Sequence, residues 1–204
     1  MKNQFLHELR KMFLEQLNTK PSNIKIIGIL GIGIITIIVS LPIMNYYFEL
    51  SNYPVSFFES QLSFSGEIIK SHYSNLTREE QTFYLYGNLV DYGFMIGNGL
   101  GKFGIAIIVA RGFREGTRVR QFGLSMFLVG LLGTVFDALE NIFIILMTFN
   151  PSNFPNIFAI IHSIFALFKY TTTVVFYGWI LGAIFYLLVQ RLHSSTRHNE
   201  FEAK

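Results

Sequence analysis

A chain of 204 residues that is 51% hydrophobic, 16% aromatic and only 14% charged, with a mean hydropathy of +0.42, departs from soluble domains toward membrane proteins. It contains no cysteine, which excludes disulfides, thiolate catalysis and thiolate metal sites. The net charge of +3 forms no basic stripe of the kind nucleic acid requires, and no repeat or low-complexity tract divides the chain, so one polytopic unit is expected.

Residues 1–24 read as an amphipathic helix. Phe5, Leu6, Leu9, Met12, Phe13 and Leu17 recur at helical spacing between Lys2, Glu8, Arg10, Lys11 and Glu15. A place on the membrane surface and packing on the cytoplasmic helix ends both suit it. It is too charged for a signal peptide, and no small-residue cleavage site follows the next apolar run, so no processing is expected. Pro21 ends this helix, and residues 26–48 carry no charge over 23 positions, enough to cross a hydrocarbon core of about 30 Å. Gly28, Gly31 and Gly33 in this first span allow a neighbour's backbone to approach, and Pro42 is expected to kink its outer end.

Residues 49–82 form the one polar stretch long enough to have structure of its own. Ser65 is placed to cap a short helix, and Thr77-Arg78-Glu79-Glu80 fits a capping box opening the next one. Phe57, Phe58, Leu62, Phe64, Ile68 and Ile69 suggest a segment covering the bundle mouth, either as a mobile lid or as a packed, passive connector. The second span, residues 83–110, places Asn88, Asp91, Asn98 and Lys102 on one helical face that cannot look at lipid. Gly93, Gly97, Gly101 and Gly104 form a small-residue ladder beside it. A basic loop, residues 111–120, leads to the third span, residues 122–149, in which Asp137, Glu140 and Asn141 share a face. After a turn at residues 150–156, the fourth span covers residues 157–190, with His162, Phe165, Ala166, Lys169 and Thr173 on one side; residues 191–204 read as a disordered cytoplasmic tail.

The fold class expected is therefore all-α: a four-helix transmembrane domain over residues 25–190, with the N-terminal amphipathic helix and a partly helical outer loop. Lys plus Arg number five in residues 1–25, two in 49–82, four in 111–120 and three in 191–204. The positive-inside bias agrees at every loop and predicts a cell-membrane protein with both termini cytoplasmic. With that orientation, a rise of about 1.5 Å per residue puts Asp91 about 12 Å below the outer end of its span, Lys169 and Asp137 about 18 Å below theirs, and Glu140 about 14 Å. Three helices thus bring Asn88, Asp91, Asp137, Glu140, Asn141, His162, Lys169 and Thr172 to one layer.

A charge at the bilayer centre costs roughly 2.5–3.5 kcal/mol on insertion scales, so such residues survive by pairing and point to function. Three acids face one base here, and Asp137 and Glu140, three residues apart, are expected to titrate as a coupled pair. A purely structural network, with Lys169 bridging two acids and the asparagines bonding across helices, accounts for the same residues. Oxygen ligands suit hard cations, yet the lysine argues against a dedicated metal cage, and no second histidine joins His162; no metal and no cofactor is expected.

Asn-Leu-Val-Asp-Tyr at residues 88–92, Asp-Ala-Leu-Glu-Asn at 137–141 and Phe-Lys-Tyr at 168–170, set in four spans with an outer loop ending in a helix, resemble a group of small, uncharacterised prokaryotic four-span membrane proteins. The resemblance covers most of the membrane region and brings no activity with it. In size and span number the chain is also similar to sterol-isomerase-like and sigma-2-type proteins, whose motifs it does not match residue by residue, so no role is carried over. The leading expectation is a protein that binds or transports a cation, an amine or a lipid-like molecule, in contact with membrane lipid and with no nucleic-acid partner. One alternative is an intramembrane acid–base enzyme of the isomerase type, built on a carboxylic acid paired with a carboxylate. Another is an interaction subunit that forms homo-oligomers through its glycine-rich helix faces, the polar layer serving only as a lock.

Overall fold

A computed structural model describes the backbone of residues 8, 12 and 14–202 and the side chains up to residue 193. The expected N-terminal amphipathic helix falls mostly on residues 1–13 and so lies largely outside the described residues; residues 14–17 are helical. Beyond them the described residues form α1 (Asn23–Leu50), α2 (Phe57–Gln61), α3 (Gly66–Ser74), α4 (Arg78–Arg111), α5 (Arg118–Phe149) and α6 (Asn156–Glu202), and no strand. Four helices are long and apolar enough to cross a membrane: α1, α4, α5 and the Asn156–His193 part of α6. Residues 191–202 continue α6 rather than forming a disordered tail, because nothing interrupts the helix: residues 183–204 contain neither glycine nor proline.

The starts of these helices follow from local chemistry. Ser56 accepts from the Glu59 amide and Ser65 from the Ile68 amide, opening α2 and α3. At α4 the capping box forms in full, with the Glu80 amide donating to Thr77 Oγ1 at 3.2 Å and the Thr77 amide to Glu80 Oε2 at 2.8 Å. Reciprocal bonding of this kind satisfies two backbone donors that the first turn would leave orphaned. The helix α1 runs unbroken through Pro42.

The four long helices pack in chain order, α1 on α4, α4 on α5 and α5 on α6, with α4 and α6 touching only lightly. Glycine sets these contacts. A Cβ on Gly33 would stand 2.7 Å from the Gly97 carbonyl oxygen, and one on Gly97 would stand 2.8 Å from that of Gly33, so the backbones of α1 and α4 meet directly. Gly28, Gly31 and Gly101 face open space instead, so only part of the two glycine series is used within the chain. On α5, Gly123 seats the Trp179 ring and Gly130 seats Phe176, which lets α6 lie close. Most of α1 turns isoleucines outward, Ile24, Ile27, Ile32, Ile35 and Ile38 among them, as suits a helix bathed in lipid.

Each end of this row is tied down. At one end Arg111 donates to the Leu17 carbonyl and Asn23, while the buried Arg120 donates to Asn18 and the Phe113 carbonyl. Two residues of the basic loop therefore hold the chain just before α1 by its free carbonyls. At the other end residues 51–77 form a second apolar cluster with the helix ends, built on Ile69, Tyr73 and Leu76 against Tyr84, Ile144, Met147 and Phe154. Lys70 Nζ donates to Asn156 at 2.8 Å, the Phe64 amide to Ser163 Oγ at 3.0 Å, and Tyr170 to Gln61. Tyr53 bonds Ser60 at 2.9 Å and reaches His72 Nδ1 at 3.4 Å.

Gly97→Val should lower stability in detergent by about 1–3 kcal/mol by forcing α1 off α4, whereas Gly101→Ala should be neutral or stabilising by up to about 1 kcal/mol; thermal melting of the two variants checks both. Burial holds His72 below the ordinary histidine value of 6.5, partly offset by the charge of Glu59. The unfolded segment then takes up its proton first, so this contribution is complete above 6.5 and is lost as pH falls toward the lowered folded value. Protection factors at residues 53–73, which divide out the intrinsic pH dependence of amide exchange, should therefore fall between pH 7 and 5 in the wild type and change less in His72→Gln.

Candidate functional site

Two apolar clusters bracket a polar band. One contains Ala106 and Ile107 of α4, Leu124 and Phe127 of α5, and Phe176 and Ile180 of α6. The other contains Tyr84 of α4, Ile144 and Met147 of α5, and Ala159 of α6. On every one of these helices the polar residues fall between the two: Asn88 to Lys102, Asp137 to Asn141, and His162 to Thr173. The two clusters thus place these stretches of the three helices side by side.

Within the band the sequence-predicted residues form two linked groups. Lys169 Nζ lies 3.1 Å from Asp137 Oδ1 and 2.7 Å from Glu140 Oε2, bridging both acids of α5 from α6. Glu140 has no exposed side-chain surface, while Lys169 and Asp137 each keep 14%. Of the three acids, then, only Glu140 is fully enclosed; Asp91 is half-buried and Asp137 borders the α5–α6 seam. In the second group Asn141 donates to Asp91 Oδ2 at 2.9 Å and to the Asn88 carbonyl at 3.3 Å, and Asn88 donates to the Tyr84 carbonyl at 2.8 Å. Asp91 is close enough to Asp137 and Lys169 to feel both charges, which couples the groups.

His162 is buried and turns Nδ1 toward Glu140 Oε1 at 3.9 Å, too far for a hydrogen bond. Both atoms lack a hydrogen-bond partner. Glu140 Oε2 also misses hydrogen-bond geometry, but at 2.7 Å from the lysine it is paired by charge, so Oε1 and the histidine nitrogen are the open positions. Buried polar atoms in this state cost about 1–3 kcal/mol each, and in a native fold they mark a place where a hydrogen-bond partner belongs. Thr172 stands apart from the network, donating to the Phe168 and Lys169 carbonyls of its own helix.

Sequence reasoning put Lys102 on the polar face of α4 but left it out of the layer, because it lies lower on its helix. The structure buries it to 4% exposure, with its ammonium beside Gly133 and 6.0 Å from the centre of the Tyr177 ring. The signal was available in the spacing Asn88, Asp91, Asn98, Lys102, opposite the small residues Gly130 and Gly133 of α5. Tyr92, whose hydroxyl donates to the Ala138 carbonyl at 3.1 Å, and Ser163 were also missed, since aromatic and small hydroxyl residues are too common in spans to stand out.

Among the described residues the fold is all-helical, its four long apolar helices suggest a multi-pass membrane protein, and Glu140 is an enclosed carboxylate ion-paired between two of those helices. The chain matches no family model, no curated protein and no solved structure.

Removing one partner of a buried pair leaves the other charge uncompensated, at a cost of about 3–5 kcal/mol. Lys169→Met should lose stability on that scale in denaturation by heat or chaotrope in detergent. Adding Asp137→Asn and Glu140→Gln should restore most of it.

Proposed function

We propose that this is an integral membrane protein that binds, and moves between the two sides of the membrane, a small amphiphile carrying a protonated amine, with both termini cytoplasmic. The observation that carries the reading is the open pair of polar atoms, Glu140 Oε1 and His162 Nδ1, enclosed and 3.9 Å apart. An ammonium group offers several N–H donors and a positive charge, and so suits the carboxylate oxygen and, with the histidine proton on Nε2, the Nδ1 atom beside it. Asp91, whose hydrogen-bond partner is the neutral amide of Asn141, adds unmatched negative charge in reach. A metal ion suits the band less well: no group of three His, Asp or Glu ligands is formed among the described residues, and the Lys169 ammonium repels a dication. The apolar surroundings of the band favour a ligand with a hydrocarbon tail.

The structural-lock reading is favoured by one observation, the bridging of Asp137 and Glu140 by Lys169, which by itself pairs two of the acids. It leaves Glu140 Oε1 and His162 Nδ1 without a hydrogen bond.

Titration of the purified protein in detergent with dodecylamine, with dodecanol as the uncharged control, decides between them. Loss of a charge-assisted bond should weaken dodecylamine binding in Glu140→Gln by about tenfold or more, and dodecanol should bind neither protein specifically. Equal dodecylamine affinity in wild type and Glu140→Gln would leave the lock reading in possession.

A further inference from the structure

Lys102 of α4 lies near Tyr177 of α6, and Gly112 near Leu187, so the two helices run in the same direction. They touch only lightly, and where α4 ends they leave a cavity of about 500 Å³ between them. Its walls are Ile108, Val109 and Gly112 of α4 and Ile184, Leu187 and Leu188 of α6. Gln190 and Arg191 complete the lining. Arg191 follows Leu187 by four residues and so stands about 6 Å further along, one turn past the apolar wall. The cavity therefore has an apolar body and a cationic end.

That end lies where the apolar layer stops. The outward face of α6 is hydrocarbon as far as Leu192, with Phe185, Leu188 and Leu192 all more than half exposed. Beyond it, residues 193–204 carry one large apolar side chain, Phe201. Phe113 and Tyr186, each next in sequence to a wall residue, stack at 5.8 Å, an aromatic pair suited to headgroup level. The field here is positive. Residues 111–120 hold four arginines against the single acid Glu115, and Arg114 and Arg118 are exposed. Arg111 and Arg120 donate to uncharged oxygens of Leu17, Asn18, Asn23 and Phe113, bonds that leave their charges in place. Arg111, in the last turn of α4, also offsets the negative end of that helix beside the cavity.

From this juxtaposition we infer that the seam between α4 and α6 holds an anionic phospholipid, with one acyl chain along Ile108, Ile184 and Leu188 and the phosphate on Arg191. A guanidinium matches two phosphate oxygens at once, while its aliphatic stem lies against the apolar wall. A headgroup that adds an ammonium brings a cation into the same positive field and gains less. The site is separate from Glu140 and His162, since Leu187 lies about 38 Å along α6 from His162, and it stands whether or not an amine binds there.

The test titrates the full chain, purified in a non-ionic detergent, with phosphatidylglycerol and phosphatidylcholine of identical acyl chains, counting bound lipid by native mass spectrometry. The wild type should bind phosphatidylglycerol about tenfold or more tighter. Arg191→Gln should bring phosphatidylglycerol down to the level of phosphatidylcholine. Leu188→Trp, which fills the cavity and keeps every charge, should weaken phosphatidylglycerol as well. Arg114→Gln, outside the cavity, should have a smaller effect than Arg191→Gln, and excess inorganic phosphate should not displace the lipid. Equal binding of the two lipids by the wild type overturns the inference, and so does a preference that survives Arg191→Gln or Leu188→Trp. An Arg114→Gln effect as large as that of Arg191→Gln overturns it in favour of the general field of the loop. Displacement by inorganic phosphate overturns it in favour of a site for free anions.

Discussion

The pairing of Lys169 with Asp137 and Glu140 is the constraint on which the rest of the arrangement depends. In an apolar interior an isolated charge is so costly that the helices bearing these residues must stay in register, within about one residue of rise, for the contacts to survive. The glycines of α5 permit that register. Gly123, Gly130 and Gly133 draw α6 close enough for a lysine on one helix to bridge two acids on the other. The apolar clusters on either side of the band then keep water and lipid from competing for the charges.

The pairing is incomplete, and incompleteness gives the band its chemical interest. A network evolved only to lock helices would be expected to close on itself, because every unpaired buried polar atom weakens it. Here Glu140 Oε1 and His162 Nδ1 are left without a hydrogen bond, 3.9 Å from one another.

Residues 51–77 bear on this site through α6. Their contacts with Asn156, Ser163 and Tyr170 run along the helix that also carries His162 and Lys169, and Tyr170 follows the bridging lysine directly. Asn52 and Phe64, on either side of α2, both adopt left-handed backbone angles, φ 45° and 52°. For a phenylalanine this conformation costs energy, of the order of 1–3 kcal/mol, and it is held by the bond of the Phe64 amide to Ser163. The segment packs on the helix ends with an aromatic core of its own.

Much of this was written in the sequence. Long runs without charge announced the spans, because a bilayer tolerates few alternatives to an apolar helix. The Thr77 capping box and the Ser65 cap were legible because they depend on neighbours three residues away. The face shared by Asp137, Glu140 and Asn141, and its meeting with Asp91 and Lys169, followed from helical periodicity and rise alone. Other features needed the tertiary structure. Periodicity says which side of a helix is polar but not how far a lysine reaches, so neither the double bridge of Lys169 nor the burial of Lys102 beside Tyr177 could be read beforehand. The long helical continuation of α6 beyond residue 190 was equally hidden, since a polar composition suits both a solvated helix and a disordered tail. What one helix says of itself is local and periodic, and the sequence carries it; which atoms stay unpaired depends on three helices at once, and only their packing decides that.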